Sequence, residues 1–143
     1  DDSLLTQEFM EEYFFNEGKI EDPNWVHNLL RPQLKASFAH LANSLQIQPR
    51  FVSRFEFMGA DILMDDQFKV KILEVNRNPG LYGEPIAMRN QMLENVATIM
   101  TQIIVDGKTT TDEIDPGQFE PVMDSSKPCT ERFFGLLDNS CCQ

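Results

Sequence analysis

Basic residues are scarce in this chain: twelve Lys and Arg stand against 23 Asp and Glu, a formal net charge of -11. So acidic a surface disfavours nucleic acid or an anionic membrane face as the principal partner, and suits a cation or a nucleotide held through one. Cysteine is scarce too. Cys129, Cys141 and Cys142 all lie near the end, an odd count with two adjacent, which is the spacing of neither a disulfide framework nor a zinc site and suits a reducing cytosol. No apolar run approaches the roughly 20 residues that cross a bilayer, and no basic-then-apolar signal segment opens the chain. There is no initial Met: Asp1-Asp2-Ser3 leads directly into Leu4, Leu5 and Phe9, which reads as a cut through a longer polypeptide. No internal repeat is present.

What is there suffices for one modest core. At 143 residues and 41% hydrophobic content, a single compact unit over residues 1–106 with a largely irregular acidic tail over 107–143 is expected. Phe9, Met10, Tyr13 and Phe14 have helical spacing, and Asn16-Glu17-Gly18 offers a C-cap. Asp22-Pro23 supplies an N-cap and a first-turn proline for an amphipathic helix running to about Leu45. Pro32 inside it predicts a kink or break near Leu30-Arg31. Residues Phe55–Met64 and Val70–Asn76 then read as antiparallel strands joined through Asp65-Asp66-Gln67. After the loop Arg77-Asn78-Pro79-Gly80, Glu84-Pro85 starts another helix that ends near Asp106-Gly107. Beyond it, the apolar cluster at Phe133, Phe134, Leu136 and Leu137 predicts one docked helical turn.

The chemistry gathers on the hairpin. Side chains two apart on a strand share a face, so Glu74 and Asn76 point the same way, and the turn near Asp66 brings Asp61 alongside them. Two carboxylates and an amide form a hard oxygen set suited to Mg²⁺, with coordination positions left for water and phosphate. Acidic residues at strand edges are common and Asp61 alone carries little weight. Glu74 and Asn76 together, between Leu73, Val75 and a Pro-Gly loop, are costly in a strand unless something binds them.

Gly59-Ala60-Asp61-Ile62-Leu63, an acidic turn, Ile72-Leu73-Glu74-Val75-Asn76 and Asn78-Pro79-Gly80-Leu81 resemble the signature of the tubulin-tyrosine-ligase-like family of the ATP-grasp superfamily, with looser similarity from about Glu8 to Val105. The resemblance implies an α+β fold, the carboxyl-terminal portion of an ATP-grasp domain with an antiparallel hairpin packed against helices. It implies that Asp61, Glu74 and Asn76 hold Mg²⁺ and the ATP phosphates, that Glu74, Asn76 and Arg77 serve catalysis, and that Arg77 and Asn78 face the acyl-phosphate or amino-acid site. It further implies ATP-dependent ligation of a free amino acid to a protein carboxylate, with tubulin or microtubules as acceptor, in the cytoplasm or on the cytoskeleton. The family's upstream nucleotide-contacting lysines and glycine-containing loop have no counterpart in these residues.

Elsewhere plainer readings apply. Lys69 and Lys71 follow the turn and are expected in solvent; Trp25, Phe38, Met92 and Met100 are core residues; His27 and His40 lack a nearby carboxylate at helical interval; Cys141-Cys142 is incidental. Two other functions stay open: a non-catalytic scaffold that keeps the hairpin, and an ATP-grasp ligase with a small-molecule substrate.

Overall fold

The computed structural model describes residues 7–44, 55–81 and 85–133. Along the chain lie helix α1 (Gln7–Asn16), a π-helical turn (Val26–Leu30) that runs into α2 (Arg31–Ser44), strands β1 (Gly59–Met64) and β2 (Val70–Asn76), helix α3 (Ile86–Ile104) and a single turn, α4 (Cys129–Arg132). The expected order of helix, long helix, hairpin and helix is present, and among the described residues the class is α+β with one two-stranded antiparallel sheet. The first strand is shorter than expected, because Phe55–Met58 precede β1 without regular structure. Among the described residues no helix is long and apolar enough to cross a membrane. Expectations placed on Leu4, Leu5, Leu45, Phe134, Leu136, Leu137, Cys141 and Cys142 lie outside the described residues.

The helix ends follow from the signals in the sequence. Gly18 takes φ +64°, open to a residue without Cβ, and lets its own N–H donate to the Phe15 carbonyl (3.0 Å) while Lys19 N–H donates to Phe14 (2.9 Å), closing α1. Asp22 does not cap the next helix, which opens at Trp25 without a side-chain cap; it closes the turn ahead of it by accepting from Asn24 N–H (2.8 Å) and from the Asn28 side-chain amide (2.7 Å), and these bonds, Asn28 first, hold its carboxyl below the ordinary carboxylate range. The predicted break at Pro32 takes the form of a change in hydrogen-bond spacing. Pro32 has no N–H and its ring excludes a normal turn around the carbonyl four residues back; instead Arg31 N–H bonds to Val26, five residues back.

The hairpin is fastened to these helices at its turn. Phe68 adopts φ 58°, a left-handed conformation that costs a bulky residue about 1–2 kcal/mol. Its ring in return meets Phe14 (5.4 Å, 87°) and Trp25 (5.5 Å, 62°), and Phe14 meets Trp25 (5.7 Å, 80°), three edge-to-face pairs at roughly 0.5–1.5 kcal/mol each. Among the described residues Trp25, Val26 and Ala39 are the most deeply buried. The Gln33 amide adds a second fastening, donating to Phe68 C=O (2.9 Å) and accepting from Val70 N–H (3.2 Å).

Residues after α3 are tied back by polar groups. Gln102, the one buried residue among those described in α3, accepts from Asp115 N–H (2.8 Å) and Lys108 Nζ (2.7 Å) and donates to Asp115 C=O (2.9 Å). Asp124, also buried, accepts four hydrogen bonds: from Thr111 N–H (3.0 Å) and Oγ1 (2.8 Å), and from Ser126 N–H (2.9 Å) and Oγ (2.6 Å). Burial alone would push its carboxyl up, but the donors on Ser126 and Thr111 outweigh that and hold it far below the usual range. Glu120 reaches Lys35 (2.9 Å) and Arg31 (3.5 Å) on α2.

Candidate functional site on the hairpin

The two strands pair Gly59 with Asn76, Ala60 with Val75 and Asp61 with Glu74; the register then shifts, and Ile62 pairs with Ile72, leaving Leu73 unpaired as a β-bulge. This one extra residue decides which way the chemistry faces. Val70, Ile72 and Val75 are the half-buried positions of β2, whereas Lys71, Leu73, Glu74 and Asn76 are exposed. Strict alternation from Val70 and Ile72 would turn Glu74 and Asn76 inward with them. The bulge absorbs Leu73 on the open side, so Val75 returns to the inner face, where it lines a cavity with Phe38, Leu41 and Ala42 of α2.

Asp61 therefore sits directly across the ladder from Glu74, and both are exposed. Asn76 Nδ2 donates to Glu74 Oε1 at 3.0 Å, which leaves the Asn76 amide oxygen as an acceptor. Like charges directly opposite on a sheet repel, and a bound cation would remove that cost. Among the described residues no group of three or more His, Cys, Asp and Glu is placed to hold a metal; the set on the hairpin has two carboxylates and an amide. Such a donor set is incomplete by itself and fits a hard cation that takes its remaining oxygens from water and phosphate.

The other expected residues lie beside this face. Arg77 and Asn78, both exposed, line a neighbouring cavity of about 560 Å³ with Phe55, Glu56, Phe57, Pro79, Leu81 and Leu93. Glu56, which no spacing in the sequence singles out, approaches Arg77 Nε at 3.7 Å. The Asn78-Pro79 loop is seated by Gly59: a Cβ there would stand 2.6 Å from Pro79 Cβ, so glycine is required for the loop to close against β1. Lys71 is largely exposed and reaches Asp65 at 3.4 Å; the Lys69 N–H bond, with help from Lys71, lowers the Asp65 carboxyl below its ordinary range. His27 and His40 are exposed, Trp25 is buried, and Phe38, Met92 and Met100 are half-buried.

Known proteins resemble the chain at the level of the family. Human inactive polyglycylase TTLL10 is 36% identical to the chain over 62 residues, 41% of this chain and 9% of that protein. Protein polyglycylase TTLL10 of Macaca fascicularis is 36% identical over 61 residues, 41% of this chain and 10% of that protein. The chain thus spans about a tenth of the length of these curated relatives. No solved structure matches it. A model of the tubulin-tyrosine ligase family matches residues 13–113, from α1 through the hairpin and α3 to Glu113, and the chain belongs to that family.

Proposed function

We propose that the outer face of the hairpin holds the metal and nucleotide phosphates of an ATP-dependent ligase that joins an amino acid to a protein carboxylate. The observation that carries this is the placement of the exposed Asp61 of β1 across from Glu74, with Asn76 bonded to Glu74 and β2 bulged so that Glu74 and Asn76 are open to solvent too. These residues would hold Mg²⁺, which when bound neutralises charge on the phosphoryl oxygens during transfer. The fold read here is the carboxyl-terminal portion of an ATP-grasp domain.

In the reaction proposed, the γ-phosphoryl group of ATP passes to a carboxylate oxygen of the acceptor, giving an acyl phosphate and ADP. The free amine of an amino acid then attacks the acyl carbon; the C–N bond forms, the C–O bond to phosphate breaks, and phosphate leaves as the amine loses its proton. Glu74 and Asn76 orient the phosphate end, and Arg77, next in the chain, faces the acyl group. Tubulin, in the cytoplasm or on the cytoskeleton, is the acceptor to test first, and the names of the relatives make glycine the amino acid to test first.

The test is ATP-dependent incorporation of labelled glycine, glutamate or tyrosine into tubulin by the full-length protein, comparing wild type with Glu74→Gln. The variant should lose about 100-fold in turnover; undiminished turnover would overturn the assignment. A second reading, a binding module without turnover, is favoured by one fact: the human relative is described as inactive, yet is as similar over this stretch as the macaque one. It requires that the wild-type full-length protein bind no MgATP.

A further inference from the structure

We infer that the outer face of α1 is a docking surface for a basic segment of another protein, with an arginine side chain laid over Tyr13 and held by Glu12 and Glu17. Nothing in this depends on the ligase reading of the hairpin. The two faces of α1 are used differently. Its inner face carries Phe14, whose ring meets Trp25 and Phe68, and Glu11, which accepts from Val26 N–H (3.2 Å). Its outer face carries Phe9, Glu12, Tyr13 and Asn16, which have i, i+3, i+4 and i+7 spacing and so lie together. With Glu17, just past the helix end, they line a cavity of about 320 Å³.

The chemistry of this face fits a cation. Phe9 and Tyr13 are each half exposed, and their rings lie nearly parallel (10°, centroids 6.3 Å apart). Phe14 braces Tyr13 edge-on (5.5 Å, 69°), so that ring is held in place before a partner arrives. Bare aromatic rings would suit any apolar partner; the charge around them selects. Glu12 and Glu17 are exposed, and among the described residues neither side chain makes an ion pair or a hydrogen bond. The helix holds three glutamates and no basic residue, and its last turn exposes carbonyls whose partial negative charge a cation would offset. Lys19, the nearest basic residue in the sequence, is exposed and forms no ion pair with them. Among cations a guanidinium fits best: it is planar and weakly hydrated, and it stacks flat on a ring while its edge forks to a carboxylate. The net charge of -11 adds long-range attraction for a basic partner, but it does not choose the place.

The experiment is fluorescence-anisotropy titration of the full-length protein against a labelled octapeptide of alternating arginine and glycine, with citrulline in place of arginine as the uncharged control. The arginine peptide should bind, and the citrulline peptide about tenfold more weakly. Glu12→Gln combined with Glu17→Gln should lower affinity about fivefold, whereas Glu94→Gln combined with Asp106→Asn, which removes the same charge elsewhere, should change it by less than about twofold. Tyr13→Leu keeps apolar bulk but removes the ring, and should cost about threefold while leaving the circular dichroism of wild type. Equal losses from the two charge pairs would mean that net charge alone draws the peptide, and equal binding of the citrulline peptide would mean a plain apolar groove; either result overturns the proposal. So does a wild-type protein that binds no arginine peptide, whether a second copy or another part of the chain covers α1. If Tyr13→Leu does not fold, the two charge pairs, all four at exposed positions, decide.

Discussion

Deleting Leu73 is an unusually sharp test of how the hairpin is built. In a regular strand, removal of one central residue swings half of the side chains to the opposite face, burying polar groups or exposing apolar ones at a cost of several kcal/mol. Here the deleted residue is the unpaired one. Without it, Ile72, Glu74, Val75 and Asn76 follow plain alternation with Ile72 and Val75 inside, the same faces they occupy now. Leu73 keeps 62% of its surface exposed, so only about a third of its burial is at stake, roughly 0.5–1 kcal/mol, and a regular ladder regains part of that. Urea unfolding followed through the single tryptophan, the buried Trp25, should show a midpoint equivalent to a change within about 1 kcal/mol. A loss beyond about 2 kcal/mol, or disappearance of the cooperative transition, would mean that the bulge is not what aims Glu74 and Asn76.

Gly59→Ala forces a methyl group to 2.6 Å from the Pro79 ring and should destabilise the chain by about 1–3 kcal/mol in the same assay; combined with Pro79→Gly the penalty should largely vanish, and an undiminished penalty in the double variant would separate the two residues. Asp124→Asn places an amide among donors from Thr111 and Ser126 and should cost about 1–3 kcal/mol at neutral pH. Because the folded Asp124 carboxyl titrates below its unfolded value, its stabilisation is complete above roughly pH 4 and drains as pH falls toward the folded value. Wild type should therefore lose more stability than the variant on acidification below that point, and parallel pH profiles would show that Asp124 contributes nothing through its charge.

Much of this molecule was legible in its sequence because the signals were local. The Gly18 stop, the turn at Asp22, the disruption at Pro32 and the hairpin each arise from one or two residues with a single good conformation. The nearness of Asp61, Glu74 and Asn76 followed from strand geometry and the position of the turn. The bulge was not read, although Ile72 and Val75 are three apart where two inward residues of a regular strand are two apart; that break in period was the available signal. Phe68 was hidden for the opposite reason. Its local preference argues against a left-handed turn, and partners distant in sequence, the rings of Phe14 and Trp25 and the Gln33 amide, offset that preference. Gln33, Gln102 and Asp124 escaped notice because a polar residue that satisfies distant backbone groups looks, in sequence, like any solvated one.

The position of Phe68 also constrains the order in which the chain can assemble. A two-stranded hairpin is at best marginal alone, and this one has a turn whose backbone is uphill until a ring can be placed between Phe14 and Trp25. Those two residues belong to segments separated from the turn by more of the chain than the hairpin itself contains. Early folding therefore falls to the helices, with loop closure across that span preceding the zipping of β1 onto β2, and the face that bears Asp61, Glu74 and Asn76 is among the last parts of the chain to take shape.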